Sequence, residues 1–184
     1  MDDRIAISRI KQGDLNGLET LVYRYQVQAV YAAYLIVYDR VLAEDVVQTA
    51  FVKVVERVHQ FDEQRPFAPW FFRIVVNDAL KLTKRQKRYV PLEDFDEPIA
   101  RLAQWLIDPR LPLEQLVEQN EIRQDVLKAI QSLPPEQRGA VVMRYFLDMS
   151  EADMSVRMDR PLSTIKWWLR DARKRLFHLL DHSR

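Results

Sequence analysis

The stretch RPFAPWFFRIVVNDALKLTKRQKR, Arg65 to Arg88, decides how the chain is built. From Trp70 onward it contains neither Gly nor Pro, and its length predicts one helix of about five turns. Steps of ~100° per residue put Phe71, Val75, Ala79 and Leu82 on one side, with Phe72 and Val76 flanking them, and put Arg73, Asn77, Lys81, Lys84 and Arg88 on the other. The apolar side needs a core. The opposite side offers cations and an amide to an anionic ligand, or to solvent alone as on any amphipathic surface helix. The neighbouring segments decide between the two.

The chain has 184 residues, 48% hydrophobic and 30% charged, enough for one medium domain or two small ones. A change of character in the middle favours two. Residues 1–91 hold 14 basic and 11 acidic side chains, 92–121 hold 2 and 8, and 122–184 hold 12 and 8. Two mildly basic ends therefore flank an acidic connector, although the formal net charge is only +1. The absence of cysteine excludes disulfides, thiol catalysis and cysteine-ligated zinc, and only His59, His178 and His182 supply imidazole. Three glycines, Gly13, Gly17 and Gly139, leave no place for a P-loop or a dinucleotide fingerprint. No cofactor, metal or small-molecule substrate is expected. No run approaches the ~18 apolar residues of a membrane span, and the N-terminus MDDRIAISRI is acidic, so a cytoplasmic chain without membrane insertion is expected.

In order along the chain, residues 3–12 read as a short amphipathic helix carrying Ile5, Ile7 and Ile10 and stopped by Gly13. Asn16 with Glu19 forms a capping pair for a long helix striped by Leu18, Leu21, Val22, Tyr25, Ala29 and Ala32. After Asp39 comes AEDVVQTAFVKVVERVHQF, with Val47, Phe51, Val54 and Val58 inward and Glu44, Asp45, Gln48 and Lys53 towards the other side. The acidic first turn suits the helix dipole, which by itself accounts for Glu44 and Asp45. The loop Asp62 to Pro69 carries two prolines and sets where the next helix starts. Residues 89–121 hold four of the nine prolines and form a linker with a helical turn or two around Ile99 to Ile107.

The last third is helical again, and SEADMSVRM has a capping box of Ser150 and Asp153. The turn DRP leads into LSTIKWWLRDARKRLFHLL, with Ser163 as N-cap and Leu162 stapling against Trp167. Ile165, Leu169, Ala172 and Leu176 point inward. Lys166, Trp167, Arg170 and Lys174 point outward, and with Ser163 and Thr164 at the helix start they form the set that a major groove would meet. The predicted fold class is all-α: two small helical domains, 1–90 and 122–184, joined by an acidic, proline-containing linker, 91–121. The second domain has the helix-turn-helix pattern.

These motifs in this order resemble a bacterial RNA polymerase sigma factor of the extracytoplasmic-function class, over nearly the whole length. AEDVVQTAF resembles the segment that grips the clamp helices of the polymerase largest subunit, with Glu44, Asp45 and Gln48 at the matching polar positions. WFFRIVVNDALKL resembles the helix that reads and opens the minus-ten element, with Asn77 at the strand-reading position and Arg73, Lys81, Lys84 and Arg88 as its cations. LPPEQRGAVVMRYFLDMS with PLSTIKWWLRDARKRL resembles the domain that binds the minus-thirty-five element. The acidic linker resembles the segment that threads through the polymerase towards the RNA path.

The resemblance implies sigma region 2, a linker and sigma region 4, and a promoter-specificity subunit rather than an enzyme. It also implies core RNA polymerase and promoter DNA as partners and control by an anti-sigma factor. The chain departs from the pattern at Thr49, where an acidic residue is common, at Asp159, where glycine is common, and at Trp167–Trp168. By angle Trp168 is a packing residue, while Trp167 faces DNA or a regulatory partner. Two other classes compete: a stand-alone helix-turn-helix regulator with an N-terminal sensor or dimerisation domain, and a nucleic-acid enzyme, for which no carboxylate cluster with metal spacing is visible.

Overall fold

The computed structural model describes residues 2–86 and 125–181. Arg88, the linker 91–121 and the turn expected around Ile99 to Ile107 lie outside them. The described residues are helical in the main, and no strand occurs among them.

The first set of helices is α1 (Asp3–Lys11), α2 (Asn16–Val37), α3 (Arg40–Arg57) and α4 (Phe67–Gln86), with a 3-10 turn, Val58–Gln60, continuing α3. Helix α1 buries Ala6, Ile7 and Ile10, whereas Ile5 is 51% exposed, because only the other three share the face towards α2. Gly13 takes a left-handed φ of 85° and ends this segment. The expected Asn16–Glu19 cap does not form. Asn16 is already helical, and its N–H is taken by Asp14 Oδ1 at 3.0 Å. At the other end, Tyr38 closes α2 in a left-handed conformation, φ 56°. Asp39 then caps α3, its carboxylate accepting from the Leu42 N–H at 2.9 Å.

Helix α4 begins at Phe67, three residues before the predicted start at Trp70. Pro69 falls in the first turn, where the N–H it lacks would have no intrahelical acceptor. The predicted apolar face is buried as read: Phe71, Phe72, Val75, Val76 and Ala79, with Leu82 partly so.

The second set comprises α5 (125–131), α6 (Pro135–Val141), α7 (Glu151–Met158) and α8 (Leu162–Asp181), with a π-helical turn, Val142–Phe146, continuing α6. Ser150 caps α7, its Oγ accepting from the Asp153 N–H at 3.1 Å, as the capping box requires. Asp159 ends α7 at φ 51°, the left-handed turn position that glycine often fills. Ser163 is not the N-cap of α8. The helix opens at Leu162, and the Pro161 carbonyl accepts from Thr164 at 2.9 Å and Ile165 at 3.2 Å. That carbonyl precedes Ser163 and takes the Ile165 N–H, one of the two donors a Ser163 cap would have used. Leu162 and Trp167, the expected staple, both stay exposed.

One apolar cluster runs through both sets: Phe71, Val75 and Leu80 belong to it together with Met143, Met154, Ile165 and Leu169. Close backbone approach sets the α1–α2 junction. A Cβ at Gly17 would stand 2.2 Å from the Ala6 carbonyl oxygen, which cannot move without breaking α1. Gly17→Ala is therefore expected to destabilise the protein by about 1–3 kcal/mol in urea unfolding, the range for overpacking. An unchanged midpoint would show that α1 is not held against α2.

Candidate nucleic-acid interface

Because Phe71, Val75 and Ala79 turn inward, α4 presents Arg73, Asn77, Lys81 and Lys84 on the opposite side. Arg73, Lys81 and Lys84 are exposed. Asn77 is half-buried, and the reason lies in the second helical set. Its Nδ2 donates to the Arg157 carbonyl at 3.4 Å, and Lys84 Nζ pairs with Glu136 Oε1 at 2.9 Å. Trp70, on the same side by angle, packs its ring against Phe61 and Phe67 at 5.0 and 5.8 Å.

Two arginines join the sets. Arg138 donates through Nη1 to the Ile36 carbonyl and through Nη2 to the Gln131 and Leu133 carbonyls, at 2.5, 2.7 and 3.0 Å. Its guanidinium also lies over the Tyr38 ring, 4.9 Å from the centroid. Ile36 is in the last turn of α2 and Gln131 ends α5, so the cation sits on carbonyls that have no intrahelical donor. Tyr38 adds a hydrogen bond from its hydroxyl to the Leu127 carbonyl at 3.1 Å. The second arginine, Arg157, donates from Nη1 to the Pro69 carbonyl at 2.8 Å. Burial, with Arg73 and Arg65 nearby, holds its pKa below the usual arginine value, against the pull of Asp153.

On α8, Ser163, Lys166, Trp167, Arg170 and Lys174 are exposed and Thr164 is half-buried. Ile165, Leu169 and Ala172 are fully covered, so the predicted division of this helix into two faces is present. Trp168 packs against the core, as its angle indicated, and Trp167 is 50% exposed. Asp171 accepts from Arg175 Nε at 2.9 Å and Gln137 Nε2 at 2.8 Å, which together hold its carboxyl below the usual range.

Between α2 and α3 lies an open groove of ≈ 580 Å³ walled by Val22, Val27, Val30, Val47 and Phe51. Glu44 and Gln48 edge it, and Glu44 is held by Arg40 Nε at 2.9 Å. Gln48 is exposed there, and Asp45 and Thr49 are exposed on the same helix without lining the groove. A second hollow, ≈ 310 Å³, opens between α1 and the loop before α4, with Asp3, Tyr25, Arg65 and Phe67 in its wall. Among the described residues no group of His, Asp and Glu could hold a metal ion, and no helix is long and apolar enough to cross a membrane.

Three predicted polar sets thus each lie together on one surface, apart from Arg88, which is outside the described residues. Sequence reasoning missed the residues that cover α4, Glu136, Gly139 and Arg157, and Arg138, which ties the second set to the end of α2. The available signal was Leu80, an apolar residue at the flank of the polar face, which is buried against Gly139.

Known proteins resemble this arrangement. The family described as Sigma-70 region 2 matches residues 21–89, and that described as Sigma-70, region 4 matches residues 123–176. The chain is 30% identical over 174 residues to the ECF RNA polymerase sigma-E factor of Escherichia coli strain K12, covering 90% of this chain and 87% of that one. It is 29% identical over 167 residues to the RNA polymerase sigma-H factor of Pseudomonas aeruginosa, covering 89% and 86%. Among solved structures, CnrH in complex with the cytosolic domain of CnrY superposes with a TM-score of 0.69 at 23% identity, covering 99% of both chains. The sigma factor RpoE of Bartonella quintana, in complex with the anti-sigma factor NepR, gives a TM-score of 0.64 at 20% identity, covering 90% of this chain and 98% of that one.

One prediction concerns the hollow beside α4. Tyr25 donates its hydroxyl to Asp3 at 2.5 Å, and burial, then this bond, pushes its pKa up to about 12. The neutral hydroxyl is the stabilising form. Its contribution is complete below the ordinary tyrosine pKa of ~10 and disappears as pH rises through the folded value. Tyr25→Phe is expected to cost about 1 kcal/mol at neutral pH by urea unfolding. The difference between the two proteins should shrink between ~pH 10 and 12. A gap that widens over that range would contradict the assignment.

Proposed function

The chain belongs to the sigma-70 family, in its extracytoplasmic-function class, and from that premise we propose that it directs transcription initiation as a promoter-specificity subunit of RNA polymerase and has no enzymatic activity of its own. The observation that carries this reading is Asn77, set between Arg73 and Lys81 on one face of a helix whose other face is locked into the core. Opening a promoter means capturing unstacked bases of one strand. That requires cations spaced along a backbone and an amide that can pair with a base edge. In this reading Asn77 contacts a base, and Arg73, Lys81, Lys84 and Arg88 contact phosphates.

The second DNA contact belongs to α8. Ser163, Thr164, Lys166 and Trp167 enter the major groove near the helix start, while Arg170 and Lys174 take flanking phosphates. Trp167 supplies an apolar surface for thymine methyls or sugars. Core polymerase docks on the α2–α3 groove, which combines an apolar floor with Glu44 and Gln48, and on Asp45, exposed on the same helix. The work is divided between residues 1–90, for polymerase and the minus-ten strand, and 122–184, for the minus-thirty-five duplex, with 91–121 as connector. Acting with core polymerase places the protein in the cytoplasm. The RpoE structure with NepR supports control of this chain by an anti-sigma factor.

The direct test is in vitro transcription with core polymerase and a pool of promoter fragments, reading out enriched start sites. Start sites that are the same with and without the protein would refute the proposal. At a promoter found this way, Asn77→Ala should slow opening roughly tenfold, the lower end of the ~1–3 kcal/mol carried by one base contact, and leave duplex binding within about twofold. Lys174→Ala should lower the magnitude of the salt slope of duplex binding by ~0.9, one phosphate contact. Asp45→Ala with Gln48→Ala should weaken the complex with core polymerase while the isolated protein binds duplex normally.

A further inference from the structure

Between Leu162 and Phe177, α8 carries five lysines and arginines and a single acid, Asp171. A carboxylate on a helix that meets DNA repels phosphate, so its presence there calls for a physical reason. Steps of ~100° place it ~40° from Trp167 and ~20° from Thr164, so that Thr164, Trp167 and Asp171 make one ridge at i, i+3 and i+7. The first two belong to the face proposed to read the duplex. Asp171 continues that ridge as a half-buried side chain, with the exposed Arg170 before it and Lys174 after it.

Its two oxygens have different surroundings. Oδ2 accepts from Gln137 Nε2 at 2.8 Å and from Arg175 Nε at 2.9 Å, while no donor among the described residues reaches Oδ1. Gln137 arrives from α6, is 4% exposed, and has its own Oε1 buried without a partner. An unsatisfied buried amide oxygen is costly, and the fold tolerates it where the other end of the same amide holds Asp171. A carboxylate only accepts, so the NH2 end of the amide is the one that faces it. Arg175, then Gln137, hold the carboxyl below the usual range. The group is therefore ionised and fixed through Oδ2, with Oδ1 left for a donor from outside the chain.

We propose that Asp171 is a specificity-determining residue of α8: its Oδ1 accepts from the N4 amine of a cytosine in the major groove of the minus-thirty-five duplex, and Gln137 is the positioning residue that holds it there. This rests on the duplex-reading role proposed for α8. The chemistry singles out cytosine. In the major groove guanine shows N7 and O6 and thymine shows O4, all acceptors that an ionised carboxylate repels, while the N6 donor of adenine stands beside its N7 acceptor. Cytosine alone offers a donor with no acceptor next to it. One side chain thus selects for one base and against three.

The test takes holoenzyme, core polymerase with the full-length chain, and duplexes randomised across the minus-thirty-five element, and sequences the bound fragments. Wild type should prefer cytosine about fivefold or more at one position, the lower end of a side-chain contact to a base. Asp171→Asn should lose that preference and gain one for adenine, whose N6 and N7 an amide pairs with. Gln137→Met, similar in volume but without the donor, should flatten the preference at the same position, while the salt slope, which reports phosphate contacts, stays at the wild-type value. Replacing that cytosine by 2-pyrimidinone, which lacks the 4-amino group, should cost wild type about fivefold more than it costs Asp171→Ala. The wild-type arm stands even where a variant folds poorly. A carboxylate that only braces α8 on α6 would, once removed, weaken every duplex alike and leave the order of bases unchanged. That result, the lack of any cytosine position in wild type, or equal losses on the amine-free base would each overturn the proposal. If Arg170→Ala with Lys174→Ala also leaves duplex binding as it was, the duplex-reading role of α8 is itself wrong and the inference falls with it.

Discussion

Phe71 is fully buried, and its ring packs among those of Tyr25, Phe51, Phe67 and Phe72, with centroids 4.6 to 6.0 Å away. Burying such a ring is worth about 1.5–3 kcal/mol, and the surrounding rings add edge and stacking contacts. What it imposes is orientation. Rotating α4 by one residue, ~100°, would bring Phe71 towards water and drive polar residues into the core, so the direction of Arg73, Asn77, Lys81 and Lys84 is settled by a residue that touches no ligand. Helix α3 contributes Phe51 to the same cluster, and that residue also walls the α2–α3 groove that Glu44 and Gln48 edge. One aromatic cluster thus aims two of the three functional surfaces.

The relation between the two helical sets rests on different physics. Arg138 has carbonyl partners where a carboxylate would be the ordinary choice, and burial lowers its pKa. Two helix ends supply what a carboxylate would. The terminal carbonyls of α2 and α5 carry the negative end of their dipoles and lack intrahelical donors. A guanidinium presents several N–H groups in a plane and can reach carbonyls from both helices at once, which a lysine ammonium does less well. Such a junction needs both helix ends in place. It is therefore a property of the assembled sets rather than of either one.

Much of the fold was legible in the sequence because amphipathic period reports burial directly. Val47, Phe51, Val54 and Val58 on α3, and Ile165, Leu169 and Ala172 on α8, are all buried as their spacing indicated. Helix starts were less legible. Ser163 looked like a cap by residue type, but the Pro161 carbonyl already took the first donors, and Asn16 lost the same role to Asp14. Cap identity depends on the path of the preceding chain, which composition does not encode. Gly17 shows the same limit: its need for a missing side chain comes from the Ala6 carbonyl across the α1–α2 junction.

The sequence by itself determined the helices, their inward faces and three polar stripes on the outside, because each depends on residues a few positions apart and on the fixed rise and turn of a helix. Only the tertiary structure decided which stripe is accessible. Asn77 and Arg157 are 80 positions apart, and Arg138 and Ile36 are 102 apart. No local period reports such meetings, since they follow from how two separately formed surfaces fit. The stretch from Arg65 to Arg88 therefore announces a core-facing side and a polar side, but that the polar side of α4 is partly covered by its own chain follows from Gly139, Glu136 and Arg157 arriving there.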